Sequence, residues 1–525
     1  MPKLLADIKK KRFLIIFIAL IILYLLSRLL FLTILPVFAD EAIYIYWSQL
    51  IISDWQQFLF YPLNDGKTPL FIWLLIPLLK IFQDPLFAGR LLSVFFGLGQ
   101  VIITYKIMCF FTSKRFYQFL APALIILSPG LILTNRLALM DTQLTFFLSA
   151  SFYFTLLCLN SYFNSSINLF FQQSKKFYFF ALSAGIFFGL ALMTKLSAIL
   201  FAPILFFTIF YFSTPKKLFK PSHLKQNFLA VITISIIFIL GLSGLYFFKI
   251  SASFSQLFSR GSDFLFPISE FITRPWTIIS QNSITFIRML TYYLSLPLLL
   301  FSFLLLPFST RRHHHPLLLF FSGMLFLLPI IFLGKIVYPR YLLPALPYFI
   351  LSFTLSLSYL SANNFQLFKG ILLTLIALIG INFIWQSFFS PASMNLDPKD
   401  SEQYLQEWSA GYGILSAVNF LEEISSTEKT LVITEGHIGT LPDGLQIYFF
   451  NRPTRNQLRI EGLGQAIVNE SNLEKFKDLA SEYSQAIIIV NSHRMQLNLP
   501  SDQLLREFPR PHAQAPTLQI WSWQP

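Results

Sequence analysis

The sequence has few charged residues and few cysteines for its length. Only 12% of its 525 residues are charged, whereas a soluble domain carries about 25%, so a soluble globular protein is excluded. The two cysteines, Cys109 and Cys158, lie in apolar runs and provide no disulfide framework. The formal net charge is +14. The basic residues occupy short loops between apolar runs, which indicates membrane topology and attraction to membrane lipids rather than nucleic-acid binding.

Long apolar runs are the main feature of the sequence. The first, residues 13–35, follows a basic stretch at 9–12 and exceeds the roughly 20 residues that cross a bilayer. A signal-peptide core spans only about 7–15 residues. We therefore interpret this run as an uncleaved anchor, despite the small-residue pattern at 37–39. Further runs bring the total to about eleven predicted spans. They lie at residues 91–111, 116–133, 144–159, 177–193, 199–212, 228–248, 284–307, 317–333, 341–360 and 371–389.

Basic clusters set the predicted orientation. If the N-terminus is inside, alternation of the spans places every basic cluster on the cytoplasmic side, as the positive-inside rule requires. We therefore predict a multi-pass protein of the cytoplasmic (inner) membrane, whose residues 36–90, 251–283 and those beyond 390 lie outside. The clusters lie at residues 114–115, 175–176, 216–220, 311–312 and 369.

The predicted architecture has two parts. Residues 1–390 form an all-α polytopic membrane module, and its first outer loop, 36–90, carries an amphipathic run at 70–82 that we expect at the membrane interface. Residues 391–525 shift to soluble composition and predict an extracytoplasmic α/β domain. No nucleotide-binding glycine fingerprint follows a strand there, so we assign this domain no catalytic motif. Its predicted strands are 430–434, 446–450, 486–490 and 517–523, and its predicted helices are 402–423 and 473–483.

Charged residues recur at the predicted outer ends of the spans. Asp40 and Glu41 directly follow the first span, a depth at which acids are costly unless they have a function. Cations in a partly dehydrated pocket hold phosphate strongly, and a carboxylate beside them can act as general base toward a hydroxyl. The pattern therefore favours a site that handles a phosphate group. Its other members are Lys67, Arg136, Asp141, Lys195, Lys335 and Arg340.

Each of these residues also has a purely structural interpretation. The two adjacent acids could cap the N-terminus of a helix in the loop. Arg136 and Asp141 could form an ion pair between two helices, and the two lysines could extend to lipid headgroups. Tyr338 and Arg340 could anchor the end of a span at the membrane interface.

Six short motifs follow one another along residues 12–390. They are Asp40-Glu41, Lys67-Thr68-Pro69-Leu70, Ala88-Gly89-Arg90, Arg136 with Asp141, Gly189 through Lys195, and Tyr338 through Pro344. Each motif is weak by itself, but their order on successive spans resembles that of the GT-C membrane glycosyltransferases. The resemblance is greatest to the bacterial branch that groups with the protein O-mannosyltransferases and the lipid A aminoarabinose transferase (glycosyltransferase family 39).

The resemblance implies a GT-C fold and an activity. It implies transfer of a sugar, with inversion, from a polyprenyl-phosphate-linked donor to an acceptor hydroxyl of a lipid, glycan or protein on the outer face of the cytoplasmic membrane. Asp40 matches the catalytic base, Glu41 the second acid of an Asp-Glu pair, and Asp141 an acid paired with an arginine. The donor phosphate would be held by Lys67, Arg136, Lys195, Tyr338 and Arg340.

The sequence departs from the resembling family at one position. The aminoarabinose transferase pattern has an acidic zinc ligand just before the loop lysine, and Gly66 occupies that position here. We therefore predict no metal site and no required cofactor, with a divalent metal left as an alternative. A transporter or flippase of polyprenyl lipids or glycolipids is the rival function. That function predicts inverted repeats, and none is found in the sequence. A scaffold would leave the charges on separate spans unexplained.

Overall fold

The computed structural model describes residues 2–165, 173–213, 221–310, 314–360 and 365–524. The basic clusters predicted at 216–220 and 311–312 lie outside these ranges. Helices make up most of the described chain, as the apolar runs predict. Apolar helices of the bundle include Pro2–Leu29, Pro85–Phe111, Arg115–Leu127, Met140–Phe163, Lys175–Thr194, Pro221–Tyr246, Pro275–Leu294, Leu296–Leu304, His315–Leu333, Leu346–Tyr359 and Gln366–Phe389.

Seven helices of the described chain are long and apolar enough to cross a membrane, and one bent pair gives an eighth. The bent pair is Pro275–Leu294 with Leu296–Leu304, which meet at 113° where Ser295 has a φ of 77°. The other predicted spans coincide with shorter apolar helices, Phe13–Leu29, Arg115–Leu127 and Leu196–Tyr211. An integral membrane protein built of helices is thus confirmed, and the total of eleven spans stays a prediction.

Close helix contacts depend on glycine. The helices Lys175–Thr194 and Pro221–Tyr246 approach each other at Gly189 and Gly244, where a Cβ added to Gly244 would lie 3.0 Å from the Gly189 carbonyl oxygen. Small residues let apolar helices come together where lipid provides no hydrophobic drive for association. A side chain at Gly244 would therefore push the two helices apart.

Two helices of the loop after the first span organise one end of the bundle. Ala39–Ser53 begins with Asp40 and Glu41 in its first turn, where acids interact favourably with the helix dipole. Leu70–Ile81 buries one face, including Phe71, Ile72 and Leu75, as predicted for an amphipathic segment. The next helix begins at Pro85 because Asp84 accepts hydrogen bonds from the backbone N–H groups of Leu86 and Phe87.

The C-terminal part contains a five-stranded mixed sheet. Its strands are β1 (Thr430–Thr434), β2 (Leu458–Gly462), β3 (Gln485–Asn491), β4 (Leu504–Phe508) and β5 (Leu518–Trp523), in the order β2-β1-β3-β5-β4. Strands β2, β1 and β3 are parallel, and β5 runs antiparallel to β3 and β4. The predicted strands at 430–434, 486–490 and 517–523 are confirmed.

Other predictions for this part are wrong. Residues 446–450 lie in and directly after the helix Asp443–Phe449 rather than in a strand, because a short apolar run does not distinguish the two by periodicity. Gln49 in Ala39–Ser53 donates a hydrogen bond to the carbonyl of Ile447 at 2.9 Å, so packing against the loop decides the conformation. The predicted helix 402–423 is divided into a short π-helical segment, Glu402–Gln406, and the helix Ile414–Ser425, with turns between them.

The C-terminal part packs directly on the loop after the first span. Phe38 forms an antiparallel bridge with Ala410, and the Gly411 N–H donates to the carbonyl of Val37 at 2.9 Å. One apolar core includes Ala42 of the loop helix and Leu445 of the C-terminal part. The boundary between 390 and 391 remains a prediction, and the shared core means that this boundary does not separate two independent packing units.

Candidate active site

Asp40 and Glu41 are neighbours in the chain but have different partners. Successive side chains of a helix point about 100° apart. The Glu41 carboxylate accepts from Arg90 at 2.8 and 2.7 Å and from the backbone N–H of Ala138 at 2.7 Å and of Phe38 at 2.9 Å. Glu41 and Arg90 are both fully buried. Glu41 therefore ties the loop to the helix Pro85–Phe111 and to the segment just before the helix Met140–Phe163, and this geometry does not support the catalytic role that the sequence predicts.

The Asp40 carboxylate lies among cations. It is 2.8 Å from the Arg340 guanidinium and 3.6 Å from the Lys67 ammonium group, and 22% of its side chain is exposed. Burial raises the pKa of Asp40, but attraction to Arg340, Lys67 and Lys195 outweighs burial and lowers the pKa to about 2. Asp40 is therefore a partly accessible, ionised carboxylate.

Lys67 is held by a turn and two aromatic rings. Gly66 has a φ of 67°, a conformation that glycine adopts without strain, and it ends the turn Tyr61–Asp65. The Lys67 ammonium group lies 3.2 Å from Asp65 and about 5 Å above the rings of Tyr44 and Trp47. These contacts fix the ammonium group beside Asp40.

A second ion pair completes the cluster. Lys195 follows the helix Lys175–Thr194 and lies 2.8 Å from Asp141, in the first turn of Met140–Phe163. Its ammonium group is 4.8 Å from the ring centroid of Tyr341. Asp141 is buried, whereas 28% of the Lys195 side chain is exposed. Lys195 can therefore reach a ligand from this position.

Arg340 is a buried cation with spare donors. Its guanidinium lies 5.4 Å from the ring centroids of both Phe38 and Tyr338, and one nitrogen pairs with Asp40. Its Nε and Nη1 are buried and have no hydrogen-bond partner in the described chain. Buried donors without a partner are costly, so these two nitrogens suit an anionic ligand.

Arg136 has partners outside this cluster. Its Nη1 and Nη2 donate to backbone carbonyls at the end of the first helix, those of Arg28, Leu30 and Phe31 at 3.0, 2.9 and 2.7 Å. Cations are favourable at helix C-termini because free carbonyls cluster there. No ion pair with Asp141 occurs among the described residues. The geometry thus supports a capping role for Arg136 rather than the predicted phosphate contact.

Several residues of the site escape the sequence analysis. Asp65 receives two hydrogen bonds from Arg260, both at 3.1 Å, and Arg260 comes from the segment predicted as a polar outer loop. Asp400 and Tyr404, just beyond the last span, lie within electrostatic reach of Arg340. The closeness of Asp65 and Lys67 in the sequence could have indicated that Asp65 belongs to the site. No sequence pattern indicates that residues 340 and 404 lie near each other.

The described residues contain no group of three or more histidine, cysteine, aspartate or glutamate side chains placed to hold a metal ion. Gly66 has no side chain to ligate a metal, and the neighbouring carboxylates of Asp65 and Asp40 are engaged by cations. The expectation that no cofactor is required stays a prediction.

The chain is similar to one protein family and to several solved structures. Residues 63–256 match the family model of dolichyl-phosphate-mannose-protein mannosyltransferases. No curated protein matches the chain. Among solved structures, ArnT from Cupriavidus metallidurans in the apo state is similar with a TM-score of 0.61, 11% identity and 98% of each chain covered. The same ArnT bound to undecaprenyl phosphate gives a TM-score of 0.56, 14% identity and 97% of each chain covered.

The apo oligosaccharyltransferase of Archaeoglobus fulgidus is also similar, with a TM-score of 0.51, 12% identity, and 93% of this chain and 70% of that chain covered. These likenesses define a membrane protein with the GT-C fold. They show the fold, and the family model matches the part of the chain that carries Lys67, Arg136, Asp141 and Lys195. The flippase alternative is not supported.

Proposed function

We propose that the protein transfers a sugar from a polyprenyl-phosphate-linked donor to an acceptor hydroxyl on the outer face of the cytoplasmic membrane. The observation that carries the proposal is the ion pair between Asp40 and Arg340 at 2.8 Å, with Lys67 at 3.6 Å and two further Arg340 nitrogens that have no partner among the described residues. A carboxylate and a group of cations suited to a phosphate ligand thus share one partly exposed site. The undecaprenyl phosphate bound to ArnT is a lipid phosphate of the kind proposed here.

The donor phosphate has a defined place in this mechanism. Arg340, Lys67 and Lys195 would bind it, and its charge would replace that of Asp40 as their counterion. A carboxylate with a pKa of about 2 is a weak base, and catalytic bases work best with a pKa near the operating pH. Displacement of Asp40 from its cations removes the attraction that lowers its pKa. Donor binding would therefore activate the base.

The reaction is a displacement at the anomeric carbon. Asp40 takes the proton of the acceptor hydroxyl, and the hydroxyl oxygen forms a new bond to the anomeric carbon from the face opposite the phosphate. The bond between that carbon and the phosphate oxygen breaks, and the lipid phosphate leaves with the electron pair. Arg340 and Lys195 stabilise the charge on the leaving group. One displacement inverts the anomeric configuration.

The test is transfer by purified protein with radiolabelled polyprenyl-phosphate sugars. Asp40→Asn should lower the rate by about 10²–10⁴, the usual effect of losing a general base. Transfer by Asp40→Asn within threefold of the parent rate would remove Asp40 from the mechanism. Failure of the parent protein to release lipid phosphate from any donor in a panel of sugars would contradict the proposed function itself.

A further inference from the structure

A second group of buried polar atoms adjoins Arg340, in the segment that follows the last span. Asp400 lies in the short helix Pro398–Ser401 and is fully buried. Its Oδ2 accepts a hydrogen bond from the Tyr293 hydroxyl at 3.0 Å. Its Oδ1 has no partner in the described part of the chain. A buried carboxylate oxygen without a partner is costly, so something other than these residues is expected to contact it.

Tyr404 provides a second group of this kind. Its hydroxyl is buried and makes no hydrogen bond to any described residue. Its ring packs edge-on against Phe38 with centroids 4.8 Å apart, and Arg340 lies 5.4 Å from the same Phe38 ring. Tyr404 and Arg340 therefore contact the same ring, that of Phe38, which places Tyr404 beside the cation of the proposed phosphate site.

The structural alternative explains only part of this arrangement. Asp397 pairs with Arg288 at 3.0 Å, and Asp400 pairs with Tyr293, so both acids attach the post-membrane segment to the helix Pro275–Leu294. Attachment uses Oδ2 of Asp400 and leaves Oδ1 unexplained. It also gives no reason for a phenol rather than a phenyl ring at Tyr404.

We propose that Asp400 and Tyr404 form the subsite that binds the sugar of the donor. This inference rests on the proposed function, because it assumes that the phosphate is bound by Arg340. A carboxylate oxygen and a phenol accept hydrogen bonds from hydroxyl or amino substituents, whereas a sugar carboxylate would be repelled by Asp400 in its ionised form. The subsite therefore selects a neutral or amino sugar over a uronic acid.

The protonation of Asp400 is consistent with this role. Burial raises its pKa to about 7, although the hydrogen bond from Tyr293 acts in the opposite direction. Near neutral pH the group can accept a hydrogen bond from a hydroxyl, and in its ionised form it can pair with an ammonium group.

Two substitutions distinguish recognition of the sugar from attachment of the post-membrane segment to the helix Pro275–Leu294. Asp400→Asn keeps an acceptor for Tyr293 but replaces part of the carboxylate with an amide N–H₂, and Tyr404→Phe removes one hydroxyl without changing the ring. Each should raise the KM for the best sugar donor about tenfold, the cost of one good hydrogen bond. The affinity for bare undecaprenyl phosphate should stay within twofold. Tyr293→Phe is the matched control, since it removes the attachment bond and leaves the carboxylate in place.

The measurements are KM with synthetic undecaprenyl-phosphate donors that carry a neutral hexose, an amino sugar or a uronic acid, and titration with sugar-free undecaprenyl phosphate. The parent protein should use a neutral or amino sugar donor and reject the uronic acid. Equal loss of affinity for donor and bare lipid in both variants, or unchanged KM in both, would overturn the sugar subsite and leave the proposed function standing. If Asp400→Asn fails to fold, Tyr404→Phe decides alone. Absence of lipid phosphate binding by the parent protein would instead contradict the proposed function.

Discussion

Glu41 and Arg90 form a two-bonded ion pair of 2.7 and 2.8 Å, and neither side chain is exposed. The remaining Arg90 donors bind the backbone carbonyls of Leu32, Leu35 and Pro36. The pair thus joins the chain that leaves the first helix to the helix Pro85–Phe111. Its burial and its full set of partners distinguish it from the neighbouring pair of Asp40 and Arg340, in which two guanidinium nitrogens have no partner within the part of the chain that the structure describes.

Glu41→Gln should lower the stability of the folded protein and not only its transfer activity. Loss of one partner from a buried ion pair leaves an uncompensated charge and costs about 3–5 kcal/mol. We expect a clear drop in the thermal unfolding midpoint in detergent, with Asp40→Asn as the matched control that loses transfer with a much smaller drop. An unchanged midpoint for Glu41→Gln would show that the pair does not support the fold.

Lys195→Ala and Arg340→Ala should each weaken binding of bare polyprenyl phosphate as much as binding of the full donor. Each loses a charged hydrogen bond worth roughly 1.5–3 kcal/mol, or about ten- to a hundredfold in affinity. Arg340→Lys should recover only part of this, because lysine lacks the planar fork of donors. The control is Lys335→Ala, an exposed cation close to Arg340 in the sequence. Unchanged affinity in both Ala variants would mean that the phosphate binds elsewhere.

Asp40→Asn should bind bare polyprenyl phosphate at least as tightly as the parent protein. Asp40 competes with the ligand for Arg340 and Lys67, and the amide removes that competition while it keeps the shape of the side chain. Titration with the sugar-free lipid measures the effect. Weaker binding by Asp40→Asn would indicate that the carboxylate organises the cations instead of competing for them.

Stability should fall as pH rises from about 4 to about 7, in part because of Asp443. This side chain is 1% exposed, and burial raises its pKa to about 7, although the Gly439 N–H at 2.9 Å and Lys67 lower it. The folded state therefore keeps a proton that the unfolded chain, with the usual carboxyl pKa of 3.8, has lost. The contribution of this proton is complete below the unfolded pKa and is lost as pH rises through the folded one.

The slope from one such group is at most about 1.4 kcal/mol per pH unit within that window. Thermal unfolding of Asp443→Asn across pH 4 to 8 should show a shallower decline than the parent protein. Asp400 also has a raised pKa of about 7, so the decline should be reduced and not abolished. Identical slopes for parent and variant would show that Asp443 is ionised in the folded state.

The predicted topology places the C-terminal part outside the cytoplasm. An alkaline phosphatase fused after Pro525 should be active in bacterial cells, and a green fluorescent protein fused at the same position should be dark. Fusions after residue 114, in a predicted cytoplasmic loop, provide the reverse control. The opposite results would overturn the orientation, and with it the outer-face location of the proposed reaction.

The local sequence pattern was sufficient to predict the helices and strands whose conformation does not depend on distant partners. The apolar runs coincide with helices because a bilayer requires internally satisfied backbone hydrogen bonds. β1 matches its predicted bounds, Thr430–Thr434. The prediction of a strand at 446–450 was wrong because its apolar residues suit a strand or a helix, and contact with Ala39–Ser53 favours the helix.

The sequence by itself determined that the chain is a helical membrane protein and indicated some of the charged residues that the structure brings together, since span length, motif order and loop charge are local properties. Only the tertiary structure decided their partners. Asp40 and Glu41 are adjacent, but the turn of one helix directs Asp40 to Arg340 and Glu41 to Arg90. Arg136 donates hydrogen bonds to carbonyls at the end of the first helix, and the segment after the last span packs Tyr404 against Phe38. The direction of a side chain and the identity of its partner depend on long-range packing, which no local pattern in one sequence encodes.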